Sequence, residues 1–143
     1  MIQLIVTGHG EFAEGLSSAA QLLCGELSDC QVINFSEGMS GDDFSAALNK
    51  AVESLGESPV LCLTDILGGT PFRECAKIAM AREDCEVISG ANVQMLVEAT
   101  MEREDEADVH TLATMLVESA REGLTTLSEQ SQQKKSHTSD DGI

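Results

Sequence analysis

Four apolar residues, Val60 to Leu63, break off at Thr64-Asp65 and give way to Ile66-Leu67-Gly68-Gly69-Thr70-Pro71-Phe72-Arg73. An apolar run this short, ended by polar and turn-forming residues, reads as a strand buried on both faces of a parallel sheet. The Gly68-Gly69 pair allows a backbone turn that side chains would obstruct. Thr70 is placed to N-cap the following helix, and Pro71 suits the first helical position, where its missing N–H is no loss. A strand, a carboxylate and a helix amino terminus then meet as an anion site, because backbone N–H groups and the helix dipole both favour negative charge. An ordinary βα loop also carries glycines. The Asp at the strand's carboxyl end, followed by a capped helix, favours a functional loop.

The remaining chain alternates in the same way. Ile2 to Val6 form a first strand, followed by Thr7-Gly8-His9-Gly10 and a helix with Phe12, Leu16, Ala19 and Leu23 on its apolar face; Gly25 stops it. Val32 to Phe35 make strand two. Ser40, with Asp42 and Asp43 behind it, opens a helix whose face carries Phe44, Leu48 and Val52. After the third strand come a helix over 71–82, a strand Glu86 to Ile88, and a helix capped by Asn92 that bears Val93, Leu96, Val97 and Met101. Glu102 to Asp108 reads as a solvated acidic stretch, Val109 to Arg121 as another amphipathic helix, and Gly123 to Leu127 as a last short strand. One domain over 1–128 is expected, followed by a polar, disordered tail over 129–143.

Strands alternating with helices predict an α/β fold: a doubly wound, mostly parallel sheet of order 2-1-3-4 with helices on both faces. In that order strands one and three are neighbours at the switch point, and ligands bind beyond their carboxyl ends. The loops of His9 and Asp65 meet there.

A histidine beside a carboxylate is held in one tautomer, with Nδ1–H on the acid and Nε2 free as nucleophile or base. Gly8 and Gly10 leave room for a bulky partner to approach the ring. The N–H groups near Gly68, Gly69 and Thr70, with the Thr70 hydroxyl, would hold the oxygens of a transferred phosphoryl group. That group carries roughly two negative charges, so Asp65 beside it keeps the adduct ready to pass the group onward. Other chemistry lacks its residues. The glycine loop is not a Walker A motif, no second histidine has metal-ligand spacing, and there is no Gly-x-Ser-x-Gly elbow. No metal or cofactor is expected. His110 and His137 read as surface histidines, and Met95, Met101 and Met115 as core. A net charge of -17 argues against nucleic acid and against an anionic membrane. Five cysteines without Cys-x-x-Cys spacing, and an N-terminus without a basic region, point to a reducing, cytoplasmic setting; Cys62 and Cys75 read as buried.

Gly8-His9-Gly10, Leu63-Thr64-Asp65-Ile66-Leu67-Gly68-Gly69-Thr70-Pro71-Phe72, Ser89-Gly90-Ala91-Asn92-Val93-Gln94-Met95-Leu96-Val97-Glu98 and Arg121-Glu122-Gly123-Leu124 together resemble the mannose-family EIIA domains. These are components of the phosphoenolpyruvate-dependent sugar phosphotransferase system (PTS). The resemblance covers about residues 1–128. It implies that His9 accepts a phosphoryl group from the phosphocarrier HPr and passes it to EIIB, for uptake of a hexose or amino sugar through membrane EIIC and EIID. Asp65 matches the family's histidine-orienting acid, and Gly69 and Thr70 its phosphate-holding turn. A homodimer that exchanges a final antiparallel strand is implied too, with Glu122 to Leu127 as the matching stretch. EIIB is then expected on a separate polypeptide. Gln94 and Arg73, where mannose-type members often carry proline and asparagine, resemble the N-acetylgalactosamine/galactosamine-type branch. Two alternatives compete: the phosphocarrier subunit of a dihydroxyacetone kinase, and a non-covalent flavodoxin-like module holding a flavin or nucleotide phosphate.

Overall fold

The structure is a computed structural model; it describes the backbone of residues 1–141 and the side chains of residues 1–134. Strands β1 (Gln3–His9), β2 (Cys30–Phe35), β3 (Val60–Thr64) and β4 (Cys85–Ile88) form one sheet of order β2-β1-β3-β4, and every pairing is parallel. This is the doubly wound arrangement that the alternation of elements predicts. Between the strands run helices α1 (Phe12–Cys24), α2 (Gly41–Ser54) and α3 (Thr70–Ala81); α4 (Val93–Glu102), α5 (Val109–Gly123) and α6 (Leu127–Asp141) follow. No helix among the described residues is long and apolar enough to cross a membrane.

The two-residue period of the strands sorts the core into two layers. Leu4, Val6, Leu61 and Leu63 pack with Leu16 of α1, Leu96 of α4, and Leu112 and Leu116 of α5. Ile5, Val60 and Cys62 face the other way, onto Phe44 and Leu48 of α2 and Cys75 of α3. Burying each of these large side chains contributes about 1.5–3 kcal/mol, so both faces of β1 and β3 are committed to helices. That leaves the strand ends, and in a doubly wound sheet ligands bind beyond the carboxyl ends.

The expected caps of α2 and α4 are present: Ser40 Oγ accepts the Asp43 N–H at 3.0 Å, and Asn92 Oδ1 accepts the Met95 N–H at 2.9 Å. Strands β2 and β4 begin earlier than their apolar runs suggest, because the parallel ladders extend to Leu4–Cys30 and Val60–Cys85. In α1 the packed face is Ala13, Leu16, Ser17 and Ala20, one step round from the expected one, and Leu23 is 69% exposed. Small residues let this helix lie close to the sheet. Met95 is buried, while Met101 and Met115 are exposed. Arg103, expected in a solvated stretch, is buried and donates to the carbonyls of Ile2 (3.1 Å), Asp29 (2.9 Å) and Ser28, tying the end of α4 to the amino ends of β1 and β2.

The last short strand is a correction. Glu122 and Gly123 complete α5, and Leu127 begins α6, so Glu122 to Leu127 form no strand among the described residues. The local signals favour a helix start. Thr126 Oγ1 accepts the Glu129 N–H at 3.1 Å, the spacing of a capping box. The polar stretch expected as a tail from residue 129 lies within α6 as far as Asp141. Its side chains from Glu129 to Lys134 are all exposed, and the last core residue among the described side chains is Ala120. Residues 142–143 and the side chain of His137 lie outside the described residues.

Candidate active site

The interior position of β1, between β2 and β3, brings the ends of two strands side by side. Thr7 and Thr64 pair in register there, and each hydroxyl donates to the next strand outward: Thr7 Oγ1 to the Ile33 carbonyl at 2.7 Å and Thr64 Oγ1 to the Ile88 carbonyl at 2.8 Å. The residues just beyond, His9 and Asp65, inherit that fixed spacing. Asp65 Oδ2 accepts the His9 backbone N–H at 2.8 Å and lies 2.7 Å from His9 Nδ1; Oδ1 accepts the Ile66 N–H at 2.9 Å. The two predicted groups are in contact.

Gly8 serves a different purpose from the one expected. A Cβ there would collide with the Phe12 ring and lie 2.9 Å from Asp65 Cγ, so the missing side chain admits Asp65 rather than an outside partner. Gly10 has φ +59°, and its N–H donates to the Phe35 carbonyl at 2.8 Å, which turns the chain away directly after His9.

The glycine turn of the β3–α3 loop lies against the imidazole. Gly68 has φ +81°, a conformation that side chains resist. A Cβ on Gly69 would stand 2.7 Å from His9 Cε1 and 3.5 Å from Nε2, so only bare backbone fits beside the ring. Gly69, not Thr70, is the N-cap of α3; Thr70 is its first residue and Pro71 follows within the first turn. The Gly69 N–H turns back to the Ile66 carbonyl at 3.3 Å, and the first helical bond runs from the Arg73 N–H to the Gly69 carbonyl at 2.9 Å. The N–H groups of Thr70 and Phe72 therefore precede the helix's own ladder, as the first N–H groups of any helix do.

The ring of His9 is 48% exposed, whereas the Asp65 side chain is 14% exposed. Burial pushes the Asp65 carboxyl up. The backbone N–H, ring and charge of His9, with the Ile66 N–H, outweigh that and hold it below the usual carboxylate range. An ionised carboxylate only accepts hydrogen bonds, so Nδ1 carries the proton between the two residues and Nε2 faces away from Asp65. Next to it lie the amino end of α3 and solvent. A nucleophilic nitrogen at an anion-binding helix end is suited to accepting a phosphoryl group.

Phe35 escapes the sequence reading. Its ring lies 5.7 Å from that of His9, centroid to centroid, and 5.2 Å from that of the buried Phe44. Its position as the last residue of the strand beside β1 was the available signal. Arg73 is exposed in the first turn of α3. His110 is at the opposite end of the sheet, with Nδ1 2.9 Å from Glu86 Oε2 and Nε2 2.7 Å from the Glu83 carbonyl. Among the described residues no cluster of three or more His, Cys, Asp or Glu side chains is arranged to hold a metal ion.

Residues 3–117 match the EIIA-man family, described as PTS system fructose IIA component. The PTS system mannose-specific EIIAB component of Escherichia coli (strain K12) is 35% identical over 127 residues, 88% of this chain. The chain spans only 39% of that relative's length. The PTS system fructose-specific EIIA component of Bacillus subtilis is 29% identical over 105 residues, covering 73% of this chain and 72% of the relative. Among solved structures, the phosphotransferase system component EIIA from Streptococcus agalactiae aligns with a TM-score of 0.83 at 35% identity, over 90% of this chain and 99% of that one. With an extended match of sequence and the same fold, the chain belongs to the EIIA-man family of sugar phosphotransferase system components.

Proposed function

We propose that the protein is a phosphoryl carrier of sugar uptake, with His9 as the acceptor, phospho-HPr as the donor and EIIB as the recipient. The observation that carries this reading is the double hold of Asp65 on His9 beside the amino end of α3. The Nε2 lone pair attacks phosphorus in line. As the Nε2–P bond forms, the bond to the donor's leaving atom breaks, and its electron pair stays with the donor. The Nδ1 proton remains on the Asp65 side throughout, and the ring's developing positive charge is stabilised by that carboxylate. The N–H groups of Thr70 and Phe72, with the α3 dipole, would bind the phosphoryl oxygens, while Gly68 and Gly69 hold that turn against the ring. Transfer to EIIB reverses the same bonds. The setting is cytoplasmic, and the membrane components complete sugar uptake.

The reading extends to a homodimer. Beside the edge strand β4 runs a groove of about 480 Å³ whose apolar lining includes Leu67, Phe72, Val87, Ile88, Ala113 and Val117. Leu124 and Leu127, 84% and 83% exposed, are side chains of a second copy with the character to fill it. Sedimentation equilibrium is expected to give a dimer that Leu124→Asp converts to monomer.

Incubation with phosphoenolpyruvate, enzyme I and HPr should label the wild type and leave His9→Ala blank, and EIIB should discharge the label. Equal labelling of both proteins contradicts the reading. Discharge by a dihydroxyacetone kinase subunit in place of EIIB would move the protein to that pathway.

A further inference from the structure

We propose that Phe35 is a positioning residue for phosphoryl transfer, setting the plane of the His9 ring; this rests on the reading that His9 carries the phosphoryl group. The second torsion of a histidine is broad, and one hydrogen bond at Nδ1 does not define the ring plane. The Nε2 lone pair lies in that plane, so the plane sets the axis along which phosphorus must arrive and leave. Asp65 holds one corner of the ring, and the Gly69 backbone closes off the edge at Cε1.

Phe35 bounds the ring's side. The two ring centroids are 5.7 Å apart with planes inclined at 55°, a tilted aromatic contact of the preferred kind. Phe35 is itself immobilised, because its ring packs at 5.2 Å and 50° on Phe44, which is fully buried between the sheet and α2. It pairs with His9 in the β1–β2 register, and its carbonyl accepts the Gly10 N–H at 2.8 Å. One residue thus supports both the backbone leaving His9 and the ring. The chain of contact runs from the core to the reacting atom: Phe44, Phe35, His9.

Phe35→Leu keeps the backbone bond and most of the apolar bulk while removing the ring, and Phe35→Tyr restores the ring. Rapid-quench transfer from phospho-HPr is expected to show kcat down roughly tenfold or more for the Leu variant, since small misplacements of reacting groups have effects of this order. KM for phospho-HPr should stay within about twofold, and the Tyr variant should be within about twofold of wild type in both. Wild-type rates for Phe35→Leu, a change in KM alone, or an equal loss in Phe35→Tyr overturns the proposal. If Phe35→Leu does not fold, the wild type still decides: nuclear Overhauser contacts between the His9 and Phe35 ring protons are expected, and their absence overturns the assignment. Failure of the wild type to take up label would strike the carrier reading itself, not Phe35 alone.

Discussion

One oxygen of Asp65 holds His9 at two points: Oδ2 accepts the backbone N–H at 2.8 Å and meets Nδ1 at 2.7 Å, across a sequence separation of 56 residues. The other oxygen is engaged by the Ile66 N–H at 2.9 Å, so the carboxylate is fixed from both sides. The strand end and the ring are thereby positioned by the same atom. Parallel pairing of β1 with β3 makes this possible, since it brings their carboxyl ends to one level.

Asp65→Asn removes one acceptor oxygen and the negative charge. Phosphoryl transfer is expected to slow by on the order of 100-fold, because the Nδ1 tautomer and the ring's charge lose their support. Rapid-quench kinetics with phospho-HPr measure this, together with the lifetime of the adduct. An unchanged rate and lifetime would remove Asp65 from the mechanism.

Gly69→Ala places a Cβ 2.7 Å from His9 Cε1 and 3.0 Å from Ile66 Cγ2, at a φ of -70° that alanine adopts freely. The collision is with the ring, so phosphorylation should fall at least about tenfold while thermal stability changes little. Gly68→Ala, at φ +81°, strains the backbone by about 1–2 kcal/mol and should lower the melting temperature instead. Comparing the two melting curves and labelling rates separates site crowding from turn strain.

His110 makes two contacts that both require it to donate, one to the Glu86 carboxylate and one to the Glu83 carbonyl. The hydrogen bond to Glu86, then that to Glu83, raise its pKa above the ordinary 6.5, against a smaller opposing effect of burial. The folded protein holds this proton more tightly than the unfolded chain does. The stabilisation is therefore complete below pH 6.5 and fades as pH rises through the raised folded value. The melting-temperature gap between wild type and His110→Gln should be larger at about pH 6 than in mildly alkaline buffer, shrinking as pH rises, at no more than about 4 °C for an exposed pair. A gap constant with pH would contradict the double donation.

Of the five cysteines, Cys24 is exposed, Cys30 is half-buried, and Cys62, Cys75 and Cys85 are buried. Burial pushes the Cys30 thiol up to about 11, with Arg103 offsetting part of it. A thiol reagent at about pH 8 should label one residue rapidly, with the fast phase lost in Cys24→Ser, because the thiolate is the reactive form. The buried three should react only on unfolding. Fast reaction of Cys62, Cys75 or Cys85 in the folded protein would contradict the packing of α3 on β3 and β4.

The sequence made the strand order and the His9–Asp65 meeting legible, since short apolar strands alternating with helices leave few topologies and an acid at a strand's carboxyl end has one direction to face. The phase of α1 was not legible, because Ala13, Ser17 and Ala20 have little hydropathy of their own while the more apolar Leu23 is exposed. The cap of α3 is Gly69, one residue before the Thr70 that the sequence favours. It depends on where the chain turns at Gly68, not on which nearby side chain is able to cap. Leu124 to Leu127 have strand-like composition, yet the Thr126–Glu129 spacing sets a helix start there. Phe35 was invisible because its contact with His9 arises from neighbouring strands, which periodicity within one segment does not encode.

The proposed carrier role requires that the His9 ring, with its Nδ1 proton held at Asp65, accept phosphorus at Nε2. Phosphorus–nitrogen correlation NMR on protein with ¹⁵N-labelled histidine, phosphorylated through HPr, tests it directly. The prediction is a single phosphoramidate on Nε2 of His9 with the proton retained on Nδ1. Phosphorus on Nδ1, or on any other residue while His9 stays unmodified, would contradict it.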